Sequence, residues 1–375
     1  MARIGFDGKK AVCNLTGIGN YSRRVVNALA TKFGPEDELL LYVPFRMNVE
    51  AVRRLDSRVS LRAGHSSGWR YQLWRAMRQW HAVKADGVDI YHGLSNELPW
   101  RVNDAGCRSV VTVHDLIFMR HPQWFGTMAR ALLRWKVAYA CRVANHIIAI
   151  SECTRRDIID LLGVEPSRVS VVYQSIDPCF AAVRPSPDDK LALRARLGIG
   201  ADYVVAVGTI ERRKNQINIV KAMQAVPEDL SLVIAGRPTS YLREVMATAQ
   251  SMGLGDRVKV LHNVAQQDLP LLYNGAVASV YLSRYEGFGL PVAEAQAAGA
   301  PVIAATGSCL EEAGGDAAIY VSPDAVRDVA EAIAAIWGDT GRRDGMIARG
   351  SVNAARFNDN AMADGLLGVY SKVTR

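Results

Sequence analysis

The sequence predicts an α/β protein of two doubly wound halves, and three observations carry that prediction: its length, a strand and helix rhythm interrupted once, and an amphipathic last segment. At 375 residues the chain is long enough for two domains of roughly 150 residues each. Apolar residues make up 49% and charged residues 22%, the balance of a soluble globular chain. No apolar run approaches the roughly 20 residues that a spanning helix requires.

The elements follow in order. Residues 3–6 (RIGF), 38–43 (ELLLYV), 89–91 (DIY), 109–113 (SVVTV), 146–150 (HIIAI) and 169–172 (VSVV) are short apolar or β-branched runs. Helical patterns at 20–31, 69–84, 127–142 and 151–162 separate most of them. Strands alternating with helices at this spacing imply a parallel sheet covered on both faces. The stretch PCFAAVRPSPDDK, 178–190, has three prolines and little periodicity, and it reads as a linker. Beyond it the rhythm restarts with YVVAVG (203–208), LSLVIAG (230–236), RVKVL (257–261), VASVYL (277–282) and PVIAA (301–305). The domains are therefore placed at 1–180 and 190–356. From Asp359, Met362, Leu366, Leu367 and Tyr370 recur at helical spacing, which makes a terminal helix over 357–375.

Charge is uneven along the chain. Up to residue 180 there are 25 Lys and Arg against 16 Asp and Glu; beyond it there are 20 against 21. Solubility alone explains a net charge but not this asymmetry, which suggests an anionic partner for the first half: phosphate, nucleic acid or a membrane surface. No recognisable nucleic-acid motif accompanies the charge. Cys13, Cys107, Cys141, Cys153, Cys179 and Cys309 stand singly, with no metal-ligand spacing. The segment MARIGFDGKK lacks the pattern of a secretory leader, and a cytoplasmic protein is expected.

In doubly wound sheets ligands bind beyond the carboxyl ends of the strands, so the loops there are the candidates. SRYEGFGLPVAEAQAAGAP, 283–301, follows the strand VASVYL and sets Glu286 and Glu294 around Gly287, Phe288, Gly289, Leu290 and Pro291. A helix beginning near Leu290 tolerates Pro291 in its first turn and leaves backbone N–H groups free for an anion. Two carboxylates there suit paired sugar hydroxyls; a tight turn with Glu294 complementing the helix dipole is the simpler alternative. VGTIERRKNQ places Arg212, Arg213 and Lys214 where a loop enters a helix, fit for a diphosphate or for a solvated turn. TGIGNYS puts Gly17 and Gly19 before a helix from Asn20 or Tyr21, a phosphate-compatible loop or an ordinary turn. His114 and Asp115 follow SVVTV, where the histidine suits a substrate hydrogen bond and Asp115 a cap.

Taken together and in this order, TGIGNYS, TVHDL, VGTIERRKN and SRYEGFGLPVAEAQAAGAPVIA resemble family 4 glycosyltransferases of the GT-B fold over nearly the whole chain, with Glu286 and Glu294 in an E-x7-E pattern. The resemblance implies two Rossmann-like domains facing a central cleft, with the C-terminal helix crossing back to the N-terminal domain. It implies a retaining, metal-independent enzyme that moves a sugar from a nucleoside-diphosphate donor to an acceptor. Carried over, Glu286 and the backbone of Gly287, Phe288 and Gly289 contact the donor sugar; Leu290 and Pro291 lie beside the phosphates and Glu294 binds ribose. His114 contacts the donor sugar, Gly17 to Gly19 approach the diphosphate, and His262 to Val264 lie along the base. Many members carry an arginine five residues before the loop lysine; here that residue is Thr209, and Arg213 beside Lys214 is its replacement. Members that build bacterial surface polysaccharides share such loops, so GDP-mannose or a related deoxyhexose donor is expected, with no cofactor. No D-x-D occurs, so no evident carboxylate pair holds a metal on a diphosphate.

WRYQLWRAMRQWH, 69–81, places Trp69, Leu73, Met77 and Trp80 on one helical face and Arg70, Arg75 and Arg78 on others, with Trp74 between. Tryptophan and arginine on an amphipathic helix mark either a membrane interface or a core stripe. Upstream Arg53, Arg54, Arg58 and Arg62 add basic charge. The expected acceptor is a glycan or a polyprenyl-diphosphate-linked glycan, met at the inner face of a membrane. A nucleotide-sugar epimerase and a non-catalytic sugar or lipid-binding protein remain as competing readings.

Overall fold

The computed structural model describes residues 2–64, 66–182, 185–200 and 202–374. The chain forms two compact units: residues up to Ser175 together with those from Asp359 onward, and Ile176–Asn358.

In the first unit seven parallel strands, β1 (Arg3–Asp7), β2 (Glu38–Val43), β3 (Val59–Ala63), β4 (Ile90–Gly93), β5 (Arg108–Val113), β6 (His146–Ala149) and β7 (Val169–Val171), lie in the order β3-β2-β1-β4-β5-β6-β7. The helices that matter for the site are α1 (Gly17–Ala30), α2 (Gly68–Met77), α3 (Gln79–Ala85) and α4 (Thr127–Val143). In the second unit six parallel strands, β8 (Tyr203–Val207), β9 (Ser231–Ala235), β10 (Val258–Leu261), β11 (Ala278–Tyr281), β12 (Val302–Ala305) and β13 (Ala318–Val321), follow the order β10-β9-β8-β11-β12-β13. Central strands such as RSVVTV and ASVY are buried almost throughout, as a sheet covered on both faces requires. Both sheets reverse direction once, between β1 and β4 and between β8 and β11. Such a reversal opens a crevice for ligands at the carboxyl ends of the strands.

Two strands escape the sequence reading, β3 and β13, and each is an outermost strand of its sheet. Edge strands face solvent on more sides and need fewer apolar residues: VSLRA alternates half-buried with exposed side chains, a weak signal for a strand sought by its apolar run.

The linker expected over 178–190 is corrected. Pro178–Ala182 is a helix whose Phe180 is fully buried against Tyr273, ring centroids 6.0 Å apart. Residues 183 and 184 lie outside the described residues. Pro187–Leu197 is a second helix, opened by a capping box between Ser186 and Asp189. Prolines 178 and 187 stand at helix starts, where proline costs no hydrogen bond, so they begin helices here rather than interrupt structure. The chain passes from one unit to the other at Ser175 and Ile176, before this stretch.

The helix expected over 69–84 is broken at Arg78 into α2 and α3. Of the two readings left open for its apolar stripe, the core reading fails for Trp69, Leu73 and Met77, which are exposed, while Tyr71, Arg75 and Gln79 are buried. Trp80, assigned to the same stripe, is buried.

The last helix, Asp359–Thr374, packs in the first unit. Arg24 pairs with Asp359 at 2.8 Å and Lys32 with Asp364 at 2.9 Å. Tyr370 is buried and shares a 2.8 Å hydrogen bond with Nδ1 of His92. Its apolar face, Met362, Leu366 and Tyr370, is the one the periodicity predicts.

Candidate active site

The second unit gathers Arg213, Lys214 and Glu286, the candidate site residues, at the reversal of the sheet. The loop after β8 enters a short turn at Arg212–Lys214, and the loop after β11 leads through Glu286 into α5 (Leu290–Ala297). Because β8 and β11 are neighbours in one parallel sheet, these loops emerge side by side. Oε1 of Glu286 accepts from the Tyr281 hydroxyl at 2.9 Å and from Nζ of Lys214, and it is ion-paired with Nη1 of Arg213 at 2.7 Å. Arg213 also pairs with Glu211 at 2.7 Å and donates to the Tyr285 carbonyl at 2.6 Å, while the Lys214 ammonium lies 4.7 Å from the Tyr281 ring centroid. The Glu286 and Lys214 side chains are only 11% and 12% exposed, so their charges act on one another with little screening.

Protonation follows from that burial. Burial alone pushes the Glu286 carboxyl up, but Lys214 and then Arg213 outweigh it and hold the group down to about 2. The Tyr281 phenol is pushed well above its ordinary value, first by burial and then by the Glu286 charge, so it stays protonated and donates. Arg213 and Lys214 face two carboxylates, the buried Glu286 and the more exposed Glu211, so the corner is balanced in charge and what it offers an anion is charged hydrogen-bond donors.

Gly289 caps α5 with φ of 101°, a left-handed conformation that glycine adopts at no steric cost. A Cβ there would lie 2.6 Å from Leu310. Pro291 is in the first turn. Phe288 is buried, edge-on to Phe357 at 5.1 Å, so its side chain belongs to the core and only its backbone is available to a ligand. Glu294 is on the second turn, partly buried, and its charge adds to burial in raising the Tyr273 phenol. Val264 lies half-buried in the loop after β10, beside Asn263 at φ of 59°. Thr209, where the family arginine is commonly found, receives at its carbonyl a hydrogen bond from Gln216.

In the first unit His114 closes β5. Its Nε2 bonds the Leu94 carbonyl at 2.9 Å, and a carbonyl only accepts, so Nε2 carries the proton. Burial lowers its pKa to about 4, which keeps the imidazole neutral. The Tyr21 ring of α1 meets it edge-on at 4.7 Å. Helix α1 begins at Gly17, three residues earlier than expected, so Gly17 and Gly19 lie inside its first turn rather than before it. They differ in kind: a Cβ on Gly19 would fall 1.9 Å from the Asn14 carbonyl oxygen, whereas Gly17 faces open space.

Residues 189–351 match the family described as Glycosyl transferases group 1, and residues 16–179 match Glycosyltransferase Family 4. The chain is a family 4 glycosyltransferase. It is 28% identical over 360 residues to O-antigen chain mannosyltransferase B of Escherichia coli, covering 92% of this chain and 93% of that protein. It is 30% identical over 304 residues to a D-inositol 3-phosphate glycosyltransferase of Catenulispora acidiphila, 76% of this chain and 72% of that one. The Anabaena protein HepE, solved in complex with UDP, superposes with a TM-score of 0.78 at 18% identity over 99% of this chain and 100% of that one; the GT-B fold is shared.

In this glycosyltransferase the structure brings Arg213, Lys214 and Glu286 into direct contact, with Gly287, Phe288, Gly289 and Leu290 next along the chain. It brings His114 to α1, whose first turn holds Gly17 and Gly19. Of the membrane or acceptor contact expected of Arg75, the membrane part is overturned. Arg75 is buried and ion-paired to Asp7 at the end of β1 and to Glu97 beyond β4; two carboxylates draw it inward, and that rotation turns Trp69 outward. Arg70 and Arg78 stay exposed, and Trp74 stacks on Tyr71 at 5.7 Å. Tyr281 was missed by sequence reasoning, since it reads as the apolar end of a strand; its place as the last strand residue before the Glu286 loop was the available signal. Among the described residues no group of three or more His, Cys, Asp or Glu is placed to hold a metal ion, and no helix is long and apolar enough to cross a membrane.

Proposed function

We propose that this glycosyltransferase moves a hexose, mannose or a related deoxyhexose, from a nucleoside-diphosphate donor to a glycan or polyprenyl-diphosphate-linked glycan, with retention and without a metal. The observation that carries the reading is the meeting of Arg213 and Lys214 with Glu286 at the reversal of the second sheet. The cations suit the diphosphate that leaves; as negative charge builds on its oxygens, preorganised donors in a partly dry corner stabilise it most. Glu286, ionised throughout the neutral range, suits a donor-sugar hydroxyl and positive charge developing at the anomeric carbon. The departing diphosphate takes the acceptor proton, which needs no covalent nucleophile. Glu294 is assigned the ribose and Val264 the base. Of the glycines, Gly17 keeps its assignment to the diphosphate because its space is open; Gly19 is explained by the packing of α1. His114 serves the donor sugar as a neutral hydrogen-bonding group.

The name of the Escherichia coli relative supports mannose, hence GDP, and the UDP bound by HepE makes UDP the rival base. Thermal shift with GDP, UDP and ADP and their sugars decides: a ligand at about 100 times its Kd adds about 2.7 kcal/mol of stability. A response to GDP alone supports the mannose reading, a response to UDP alone replaces it, and no response to any nucleotide overturns the donor site. Epimerisation of a donor without acceptor would favour the epimerase reading. An anionic membrane surface is proposed for the exposed Trp69, Leu73 and Met77 of α2 with Arg70 and Arg78. Cosedimentation with phosphatidylglycerol vesicles, lost on Trp69→Ala, tests it.

A further inference from the structure

The first unit holds a cavity of about 330 Å³ between α2, the residues after β4 and α4. It lies at the reversal of that sheet: Asp7 ends β1, and Glu97 follows β4, its neighbour. One wall is aromatic. Trp100 and Trp135 meet edge-on at 5.8 Å, and Trp135 lies nearly parallel to Tyr139, 20° apart at 6.3 Å.

The floor is polar and electrically balanced. Arg75 joins Asp7 and Glu97, and Lys136 reaches Glu97 at 3.0 Å: two cations and two carboxylates. Beside them Gln79 is fully buried, yet neither its amide nitrogen nor its oxygen has a hydrogen-bond partner among the described residues, and Nε of Arg75 lacks one as well. Unpaired buried donors and acceptors are costly and call for a ligand or water to pair them.

We propose that this cavity is a carbohydrate subsite that takes one uncharged pyranose ring of the acceptor glycan; the inference rests on the glycosyltransferase reading and adds the acceptor's recognition to it. A pyranose has an apolar C–H face for the Trp100 and Trp135 wall and hydroxyls that both donate and accept, as Gln79 requires. A diphosphate is disfavoured because the floor carries no excess positive charge to receive it. A purely apolar chain is disfavoured because it would leave Gln79 and Arg75 unpaired.

The test uses the full chain and a panel of methyl glycosides of the common hexoses, deoxyhexoses and N-acetylhexosamines, followed through the indole N–H signals of Trp100 and Trp135 by NMR. At least one glycoside should shift both signals saturably. Gln79→Leu should weaken that binding about tenfold, the effect of losing hydrogen bonds in a buried site, while leaving urea stability equal or higher, because no protein partner is lost. Trp135→Ala, at an exposed position, should weaken it comparably. The proposal is overturned if no glycoside shifts the indoles, if Gln79→Leu binds as the parent does, or if inorganic pyrophosphate or a short prenyl diphosphate shifts them instead. Nucleotide thermal shift in the same samples reads the second unit independently: its failure with sugar binding intact sinks the donor reading alone, and the converse sinks this subsite alone.

Discussion

At the scale of the residue, Glu286 decides the most. Its carboxyl is depressed in the folded chain to about 2 against an unfolded value near 4.5. The stability it contributes is therefore complete above about pH 4.5 and lost as pH falls toward 2. Glu286→Gln should lower the urea stability of the second unit by about 3 kcal/mol at neutral pH, since Arg213 and Lys214 are left without their buried counter-charge, and should flatten its acid dependence below pH 4.5. An unchanged urea midpoint at pH 7 would refute the coupling. Lys214→Ala should reduce turnover at saturating donor by the equivalent of about 2 to 4 kcal/mol, the scale of one preorganised charge donor; undiminished kcat removes Lys214 from the reaction. The meeting of Glu286 with Lys214 was legible in the sequence because both follow apolar strands, in loops at the same end of a parallel sheet. Tyr281 was not, because its ring satisfies the strand pattern and only its hydroxyl, 2.9 Å from Glu286, serves the site.

At the scale of the element, the first turn of α1 separates packing from ligand geometry. Gly19→Ala would force a methyl group to within 1.9 Å of the Asn14 carbonyl, so the backbone must move; a loss of about 1 to 3 kcal/mol is expected in urea unfolding. Gly17→Ala meets nothing and should leave stability level or slightly raised, while weakening nucleotide-sugar binding if the diphosphate approaches there. Equal effects of the two changes on folding would contradict this account. Sequence spacing located the helix but not its start, since Gly, Ile and Gly give no cap signal and Thr16 makes no side-chain cap. The same limit explains α2: periodicity marks a helix with two dissimilar faces but cannot say which faces inward when both carry large side chains.

At the scale of the whole molecule, the two units differ in their response to acid. Burial lowers His92 to about 3 and His114 and His146 to about 4, all in the first unit, whereas His262, the one histidine of the second, is exposed. Unfolded histidines take up protons below about pH 6.5 and these folded ones do not. The stability they provide is therefore full above pH 6.5 and lost as pH falls toward 4, by about 1.4 kcal/mol per histidine per pH unit. Six of the seven tryptophans are in the first unit, so the urea midpoint read by tryptophan fluorescence should fall between pH 7 and pH 5; a constant midpoint would contradict the buried neutral histidines. By itself the sequence determined the two α/β halves, the strand-end loops that bear Arg213, Lys214 and Glu286 and the apolar face of the last helix, because these follow from apolar periodicity and turn residues within short windows. Only the tertiary structure decided that Arg75 points inward and that Tyr281 joins the site. Asp7 is 68 residues from Arg75 and Glu97 is 22, and Lys214 is 67 from Tyr281. Contacts across such separations are set by how strands order in the sheet, which no local pattern records.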